Sequence, residues 1–597
     1  MIRKDKKTYA DGTVKTQIRV VEGYRPGPGL PPKQRTVKSF GYLEDQEDQA
    51  AFMEMVQQFD REQRKEAVVR IEVPATAKMY SETNRSQNYG YKFIEAVYNC
   101  LRIDQFIEDY QKQKKSREKY STGAIIKFLV IERILAPGSK RATSQKRDSL
   151  YGFNSGFELH DIYRALDLLA EMEHPLQQYI NEQIKTKIGR DLSLAFYDVT
   201  NYYFEKDFPD EPGLLRQRGV SKEHRVDPIV QMGLFIDDKG LPVCMSMFPG
   251  NTSDSVTLLP SMKDIKESYG FGRLIVVADK GMNSGRNLDE ICNNGDGYVV
   301  SQIIRGSKGK RYLPYIEDKN GWAENEDGTY KYKLFEENYE GLDREGRKTI
   351  RRRKVLLYWS QADANMAAKK REEKLEKAAR SSKNSVYSIA KGVEEYAKVN
   401  IVNKDTGELI ENPKRLISVD LEKAAEDAKF DGYFCIITSE LSYSEKQIRT
   451  TYGGLWKIEQ SFRIMKSDLY ARPVFVSTQA HIRAHFLICF ISLLIVRVLQ
   501  FYMGKNALSA ERISTALSAA TCQVLRGGII HLDDVGGSIG FEKKKNKTGE
   551  IVETLKFSAA DQIANDYRLI QDTFHTAFYD AYPKQEVFNK FLNDLYL

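Results

Sequence analysis

Two aspartates stand at the ends of short apolar segments, where an ionised carboxylate is costly to bury. Asp198 lies in "LAFYDVT" (194–200), and Asp279 ends "RLIVVAD" (273–279). Such a carboxylate is unfavourable away from water unless it is paired or bound to a metal. If the two segments are neighbouring strands, both carboxylates can converge on a hard cation such as Mg²⁺ or Mn²⁺. Either residue alone could instead be a turn or capping residue, but their occurrence in one α/β unit favours the metal site.

A third carboxylate would complete this site, and the candidate is Glu459 in "TYGGLWKIEQSFRIMKSDLYARP" (451–473). We predict that this stretch is one helix, because its apolar residues recur at helical spacing and must face the core. These apolar residues are Leu455, Ile458, Phe462, Met465 and Leu469. A second stripe, centred roughly 100° away, borders the buried face. Its members are Tyr452, Trp456, Glu459, Arg463, Lys466 and Tyr470.

The second stripe offers a carboxylate for a metal and, beyond it, two cations for a phosphate. Arg463 and Lys466 are one and two turns after Glu459. The alternative is an ordinary i,i+4 ion pair between Glu459 and Arg463, worth about 0.3 kcal/mol. The two aspartates favour the metal and phosphate interpretation.

The elements that must position these residues are those of an α/β unit. Short apolar runs bounded by Gly, Pro, Asn and Asp predict buried strands at 192–200, 228–236, 241–248 and 273–279. Asp238-Lys239-Gly240 predicts a hairpin turn, which makes its two strands antiparallel. A helical pattern at 255–270 predicts a crossover to the strand that ends at Asp279.

Changes in composition and in the pattern of apolar residues along the chain predict six domains or parts of domains. They are a basic N-terminal β/helical appendage (1–75), a helical, DNA-binding domain (76–190), a first part of the catalytic core (191–302), an inserted β-rich and charged subdomain (303–428), a second part of the core (429–500) and a C-terminal helical region (501–597).

The charge distribution suits a polyanionic partner. The net charge is +8, residues 1–40 hold ten Lys or Arg against three Asp or Glu, and "RKTIRRRK" (347–354) has six basic residues in eight. A solvated basic face is the alternative for either patch. Six scattered cysteines without a Cys-x-x-Cys pair argue against a zinc module or disulfide scaffold and fit a reducing cytoplasm. The longest apolar run, 486–496, is too short to span a bilayer and predicts a buried helix.

These motifs, in this order, resemble those of the DDE transposases of bacterial insertion sequences. "YDVTNYYFE" is similar to the motif of the first aspartate, "FPGNTSD" (248–254) to the loop after the early strands, and "VVADKGMNSGRNL" to the motif of the second. The last motif of the family is Tyr, Arg three residues on, Glu four after that and Lys seven after the Glu. Tyr452, Glu459 and Lys466 fit this spacing, and Leu455 stands where the family has arginine, with Lys457 or Arg463 as candidate substitutes.

The resemblance implies an α/β fold with an RNase H-like mixed sheet, a β-rich insertion, an N-terminal helical domain and a C-terminal helical region. It also implies catalysis by two Mg²⁺ ions, with Mn²⁺ able to substitute, roughly 4 Å apart and held by Asp198, Asp279 and Glu459. The reaction would be hydrolysis at the element ends, followed by transfer of the freed 3′-OH strand to target DNA. The expected DNA contacts are Tyr452, Lys457, Arg463, Lys466, Lys280 and Arg472.

The partners implied by the resemblance are double-stranded DNA, as terminal inverted repeats and target, and a second copy of the chain in a homodimer on DNA. We expect a cytoplasmic, nucleoid-associated protein without a membrane partner. Trp322 or Trp359 could stack a flipped base, although a core position is the alternative for both. Two other functions stay open: a metal-dependent nuclease without strand transfer, and a DNA-binding protein with a decayed site.

Overall fold

The structure is a computed structural model that describes residues 2–8, 13–24, 33–46, 48–49, 52–53, 55–57, 59, 86–115, 120–153, 156–223, 225–269, 272–305, 309–383, 397–400, 416–525, 527–533, 535, 540–545, 551–556, 559–576, 578 and 580–597. The chain forms two compact units. The first contains residues Met1–Ile162 and Val498–Leu597, and the second contains Tyr163–Arg497. The predicted domain limits stay a prediction, and the one at 75/76 lies outside the described residues.

The described strands are, in chain order, β1 (Ile2–Thr8), β2 (Val14–Tyr24), β3 (Lys33–Tyr42), β4 (Gln87–Asn88), β5 (Leu194–Tyr203), β6 (Ile229–Asp237), β7 (Pro242–Pro249), β8 (Ile275–Ala278), β9 (Gly297–Gln302), β10 (Ala323–Glu324), β11 (Tyr330–Leu342), β12 (Lys348–Ser360), β13 (Ala397–Asn400), β14 (Leu416–Val419), β15 (Tyr433–Thr438), β16 (Thr521–Leu525), β17 (Ile529–Leu532), β18 (Gly540–Lys545) and β19 (Ile551–Lys556).

The described α-helices are α1 (Tyr91–Cys100), α2 (Ile103–Gln113), α3 (Thr122–Leu135), α4 (Lys140–Ser144), α5 (Leu159–Glu171), α6 (Glu173–Ile188), α7 (Asp254–Tyr269), α8 (Gly285–Asn293), α9 (Leu313–Glu317), α10 (Gln361–Lys383), α11 (Leu421–Ala428), α12 (Glu445–Gly453), α13 (Trp456–Arg463), α14 (Gln479–Met503), α15 (Ala510–Ala519), α16 (Ala559–Thr573) and α17 (Gln585–Asn593).

The second unit is built on one mixed sheet with the strand order β10-β11-β12-β15-β9-β8-β5-β6-β7. β5, β6 and β7 form an antiparallel meander, and β8 and β9 run parallel to β5. Numbered by their order in the chain, these five strands lie in the order 3-2-1-4-5, which is the RNase H-like arrangement. The fold class implied by the sequence is therefore confirmed; Asp198 lies on β5, and Asp279 directly follows the neighbouring strand β8.

The local predictions around this core agree with the structure. β6 is buried along its whole length, as an apolar run in a central strand should be. It turns into the antiparallel β7 through Asp238-Lys239-Gly240, where Gly240 has φ +84°, a value that favours glycine. The predicted crossover helix is α7.

The segment between β9 and β15 extends the same sheet. β15 pairs with β9, β12 pairs with β15, and the long β11 pairs with β12, all antiparallel. The basic run 347–354 lies mainly on β12, where carboxylates compensate it. Lys348 pairs with Glu340 at 2.7 Å and Arg353 with Glu337 at 2.5 Å, while Arg352 pairs with Glu336. Three of the six basic residues of this run are therefore in ion pairs with the neighbouring strand, and the run is not an uncompensated patch for a polyanion.

The apolar run 486–496 lies in α14 and is buried, with Phe486 and Val496 at 0% and 2% exposure. Among the described residues, the helical stretch Gln479–Asn506 alone is long and apolar enough to cross a membrane, and 78% of its most apolar window is buried inside the protein. Burial of this kind is what the core helix of a folded unit shows, and the predicted buried helix is confirmed.

Candidate active site

Asp198 and Asp279 lie at the same level of two adjacent parallel strands. Tyr197 of β5 pairs with Ala278 of β8, and each aspartate is the next residue of its chain. Paired strands are about 4.8 Å apart, and in-register residues of parallel neighbours share a face of the sheet. The expectation that these two strands are neighbours is confirmed.

A third strand contributes Ser301, which the sequence interpretation missed. Ala278 of β8 also pairs with Val300 of β9, so that Ser301 stands level with Asp279. The Ser301 hydroxyl donates to Oδ1 of Asp279 at 3.1 Å, and the Tyr452 hydroxyl donates to the same oxygen at 3.4 Å. The sequence feature that could have indicated Ser301 is a hydroxyl residue near the end of the apolar run "GYVVSQ".

The Asp198 carboxylate is half-buried and accepts the backbone N–H of Val199 at 2.7 Å. Burial raises the pKa of Asp198 to about 6; the Lys222 ammonium opposes this rise, and the charges of Asp279 and Asp254 add to it. The carboxylates therefore repel one another, and a cation held between them would relieve that repulsion.

The helix that carries Glu459 is anchored as the apolar stripe predicts. Leu455, Ile458, Phe462, Met465 and Leu469 are all buried, from 0% to 8% exposed. Of the second stripe, Tyr452 and Lys466 are half-buried, and the other four members are exposed: Trp456, Glu459, Arg463 and Tyr470.

The prediction of one continuous helix is wrong. α12 ends at Gly453, α13 begins at Trp456, and residues 464–468 form a π-helical turn. At the break, Gly454 lies against the ring of Phe196, which a Cβ at this position would overlap. Phe196 precedes Asp198 by two residues on β5. The glycine thus lets the start of α13 approach the strand that carries the first aspartate.

Glu459 lies between two contacts to the aspartate region. Seven residues before it, Tyr452 reaches Asp279; seven residues after it, Lys466 donates to the Thr200 hydroxyl at 2.7 Å. Burial first, and then the Lys222 charge, lower the pKa of Lys466 to about 8. The Glu459 carboxylate itself makes no hydrogen bond or ion pair to any described residue, so the alternative pair with Arg463 is not formed.

The donor set fits a hard divalent cation only in part. The oxygens of Asp198 and Asp279 are suitable ligands on neighbouring strands. Within the described part of the chain, however, no group of three or more His, Cys, Asp or Glu side chains is close enough to hold a metal ion. Glu459 is therefore not assembled with the two aspartates in this structure and would have to approach them.

The other residues expected to contact DNA have different surroundings. Arg463 and Lys280 are exposed. Lys457 donates to the Asp238 carbonyl and lies 5.9 Å from the centre of the Phe196 ring. Arg472 pairs with Glu223. Leu455, in the position of the family arginine, is 8% exposed and belongs to the core.

The two tryptophans considered for base stacking belong to an aromatic cluster. The indole N–H groups of Trp322 and Trp359 donate to backbone carbonyls at 2.9 and 3.0 Å. The Lys331 ammonium lies over both rings, 5.1 and 5.5 Å from their centres. Trp456, beside Glu459, is 57% exposed.

Comparisons with known proteins agree with these features. A family described as "Transposase DDE domain" matches residues 217–495, and one described as "IS1634 family transposase, N-terminal domain" matches residues 2–69. The first match contains Asp279 and Glu459 and begins after Asp198. No curated protein matches the chain.

A solved structure titled "Mos1 transposase paired-end complex with left transposon end" is similar at 10% identity over 44% of this chain and 68% of that chain, with a TM-score of 0.14, too low to support an argument. The two family matches together span more than half of the 597 residues, and both families are transposases. The chain therefore belongs to the DDE transposases of insertion sequences.

Proposed function

We propose that this transposase binds the ends of its insertion sequence, hydrolyses a phosphodiester bond and transfers the freed 3′-OH strand to target DNA. The observation that carries the proposal is the in-register pair Asp198 and Asp279, with Tyr452 and Lys466 contacting the same region on either side of Glu459. We further propose that the protein acts as a homodimer on double-stranded DNA, in the bacterial cytoplasm and associated with the nucleoid.

Asp198, Asp279 and Glu459 are the residues that would hold Mg²⁺ or Mn²⁺. Two such ions, when bound, would lower the pKa of the attacking water or 3′-OH and stabilise the leaving oxygen. Asp198 and Asp279 need little rearrangement for this role, because the sheet register fixes their backbones. Glu459 is the mobile ligand of the proposal and would turn towards the aspartates when positive charge balances the three carboxylates.

The cations near this site would hold the DNA strand. Lys466 reaches the strand of Asp198 and can bind a phosphate oxygen next to the scissile bond, where negative charge develops in the transition state. The Tyr452 hydroxyl is a second donor. Arg463 and Lys280, which are exposed, would contact more distant phosphates, and such contacts should make binding weaken steeply with salt.

An assay with element-end DNA and Mg²⁺ separates the candidate functions. Cleavage with joined product supports transposition, cleavage without joining supports a nuclease, and binding alone supports a decayed DNA-binding protein. We expect Asp198→Ala, Asp279→Ala and Glu459→Gln each to lower cleavage by about 100-fold or more. Glu267→Gln is the control, because this exposed α7 residue makes only an i,i+4 pair with Lys263 at 3.7 Å. Intact cleavage in any of the three variants would refute the assignment of that residue.

A further inference from the structure

The loop between β5 and β6 places a cation and an anion side by side at the proposed site. Lys222 donates to the Val199 carbonyl, next to Asp198, and its ammonium lies 3.3 Å from a carboxylate oxygen of Asp254. The positive charge of this loop residue therefore sits among the carboxylates, in the region where a divalent cation would be held.

The next residue, Glu223, lies among the cations. Its carboxylate pairs with Lys466 at 3.5 Å and with Arg472. All three side chains are largely buried, at 27%, 14% and 24% exposure respectively. The negative charge of the loop therefore sits between two cations that the sequence interpretation had assigned to DNA.

Glu223, Lys466 and Arg472 line a cavity of about 630 Å³ whose side chains are of the types that bind nucleotides. Its wall also contains Arg225 and the aromatic rings of Tyr203 and Tyr470. The Arg225 guanidinium lies 4.0 Å from the centre of the Tyr203 ring, and Tyr470 is 59% exposed. Clustered Arg and Lys bind phosphate oxygens, and exposed aromatic rings or guanidinium planes stack on bases. Among the described residues that line this cavity, Glu223 alone carries a carboxylate.

We propose that Lys222 and Glu223 are an internal substitute for the bound state: Lys222 replaces the divalent cation beside Asp198 and Asp254, and Glu223 replaces a DNA phosphate between Lys466 and Arg472. The loop must then withdraw when DNA and the cation bind. This inference rests on the proposed function and adds a regulation of its site. Burial and then the charge of Lys222 lower the pKa of Lys466, so the two ammonium groups are close enough to interact.

The proposed role of Glu223 as a substitute for a DNA phosphate is tested by measuring DNA binding in EDTA, where cleavage cannot occur. Glu223→Gln removes the competing charge and keeps the side-chain shape. We expect its dissociation constant for element-end DNA to be about three- to tenfold lower than that of the wild type, the range of one partly buried ion pair. Glu211→Gln, an exposed residue of the same loop, makes the same change in net charge and should alter binding by less than about twofold.

Two outcomes distinguish the substitute role of Glu223 from the proposed transposase function. If the wild type binds DNA and Glu223→Gln binds no more tightly than Glu211→Gln, the substitute role of Glu223 is refuted while the proposed function stands. If the wild type does not bind DNA at all, the proposed function itself is refuted, and with it the phosphate role of Glu223.

The proposed role of Lys222 as a substitute for the divalent cation is tested without DNA, by acetylating the lysines of the full chain and measuring the labelling by mass spectrometry. Adding MgCl₂ should displace Lys222 and raise its rate of acetylation by about twofold or more, as the exposure of its ammonium increases. Lys239, whose ammonium donates to the carbonyls of Ile188 and Gly189 at 3.0 and 2.8 Å, is the internal control and should not change. An unchanged rate at Lys222 in saturating MgCl₂ would refute the substitution of the cation.

Discussion

Gly453 and Gly454 form a matched pair for testing how the Glu459 helix is positioned. A Cβ at Gly454 would overlap two atoms of the Phe196 ring, whereas a Cβ at Gly453 would meet nothing within 4 Å. Both substitutions by alanine reduce the freedom of the unfolded chain in the same way, a gain of about 0.4–1 kcal/mol. The difference between the two variants therefore isolates the overlap with Phe196, for which overpacking predicts a cost of about 1–3 kcal/mol.

The difference can be measured by urea unfolding followed by tryptophan fluorescence. All three tryptophans, Trp322, Trp359 and Trp456, lie in the second unit, so this signal reports the unit that contains the candidate site. We expect Gly453→Ala to be unchanged or slightly stabilised and Gly454→Ala to have a free energy of unfolding about 1–3 kcal/mol lower than Gly453→Ala.

Cleavage should separate the two variants more strongly than stability does. To relieve the overlap, the start of α13 must move away from β5, and Glu459 lies on its first turns. Because a displacement of about 1 Å at a catalytic group can cost about 100-fold in rate, we expect Gly454→Ala to cleave about 10- to 100-fold more slowly than Gly453→Ala. Phe196→Leu in the Gly454→Ala background should restore part of both losses. Equal stability and equal cleavage of the two alanine variants would refute the role of this close approach.

Three further predictions concern other parts of the chain. Burial raises the pKa of Glu132 from 4.5 to about 7, so the folded state holds this proton more tightly than the unfolded chain does. The folded state therefore loses about 3 kcal/mol of stability as the pH rises from about 4.5 to 7. Glu132→Gln should remove this loss, as measured by hydrogen exchange of α3 at several pH values. Ser301→Ala removes a donor to Asp279 and should slow single-turnover cleavage about 2- to 12-fold, the equivalent of one net hydrogen bond; an unchanged rate would contradict its positioning role. Arg353→Met removes the cation beside the Glu337 carboxylate, which is 17% exposed and still accepts the Tyr312 hydroxyl, and should cost about 3 kcal/mol in urea unfolding. Arg352→Met, whose pair with Glu336 is exposed, should cost less than about 1 kcal/mol. Similar losses in both variants would contradict the different burial of the two ion pairs.

The core of the fold could be predicted because its signals are local. Apolar runs bounded by turn residues mark β5 to β8, and Asp238-Lys239-Gly240 marks the hairpin between β6 and β7. The buried stripe of the Glu459 helix followed from periodicity alone. Periodicity could not show the break after Gly453, nor the close approach of Gly454 to the ring of Phe196, which is more than 250 positions away in the chain.

The same limit explains the residues that the sequence interpretation missed. Ser301, Lys222 and Glu223 have ordinary local contexts, and they become notable only because strand register and a long loop bring them to the carboxylates and to Lys466. The basic run 347–354 shows the opposite error. It is conspicuous in the sequence, but the carboxylate partners of Lys348, Arg352 and Arg353 lie on β11, the neighbouring strand.

The position of Glu459 follows from the charges around it. Three carboxylates that approach one another to about 4 Å repel by about 4 kcal/mol per pair at an effective dielectric constant of about 20. Burial, with smaller contributions from the charges of Asp279 and Asp254, already raises the pKa of Asp198 even with Lys222 nearby. Without a divalent cation, an exposed Glu459 is thus the lower-energy arrangement. In the proposed function, the ions that make the chemistry possible would also supply the charge that draws Glu459 in, so that the three carboxylates would come together only when the metal is bound.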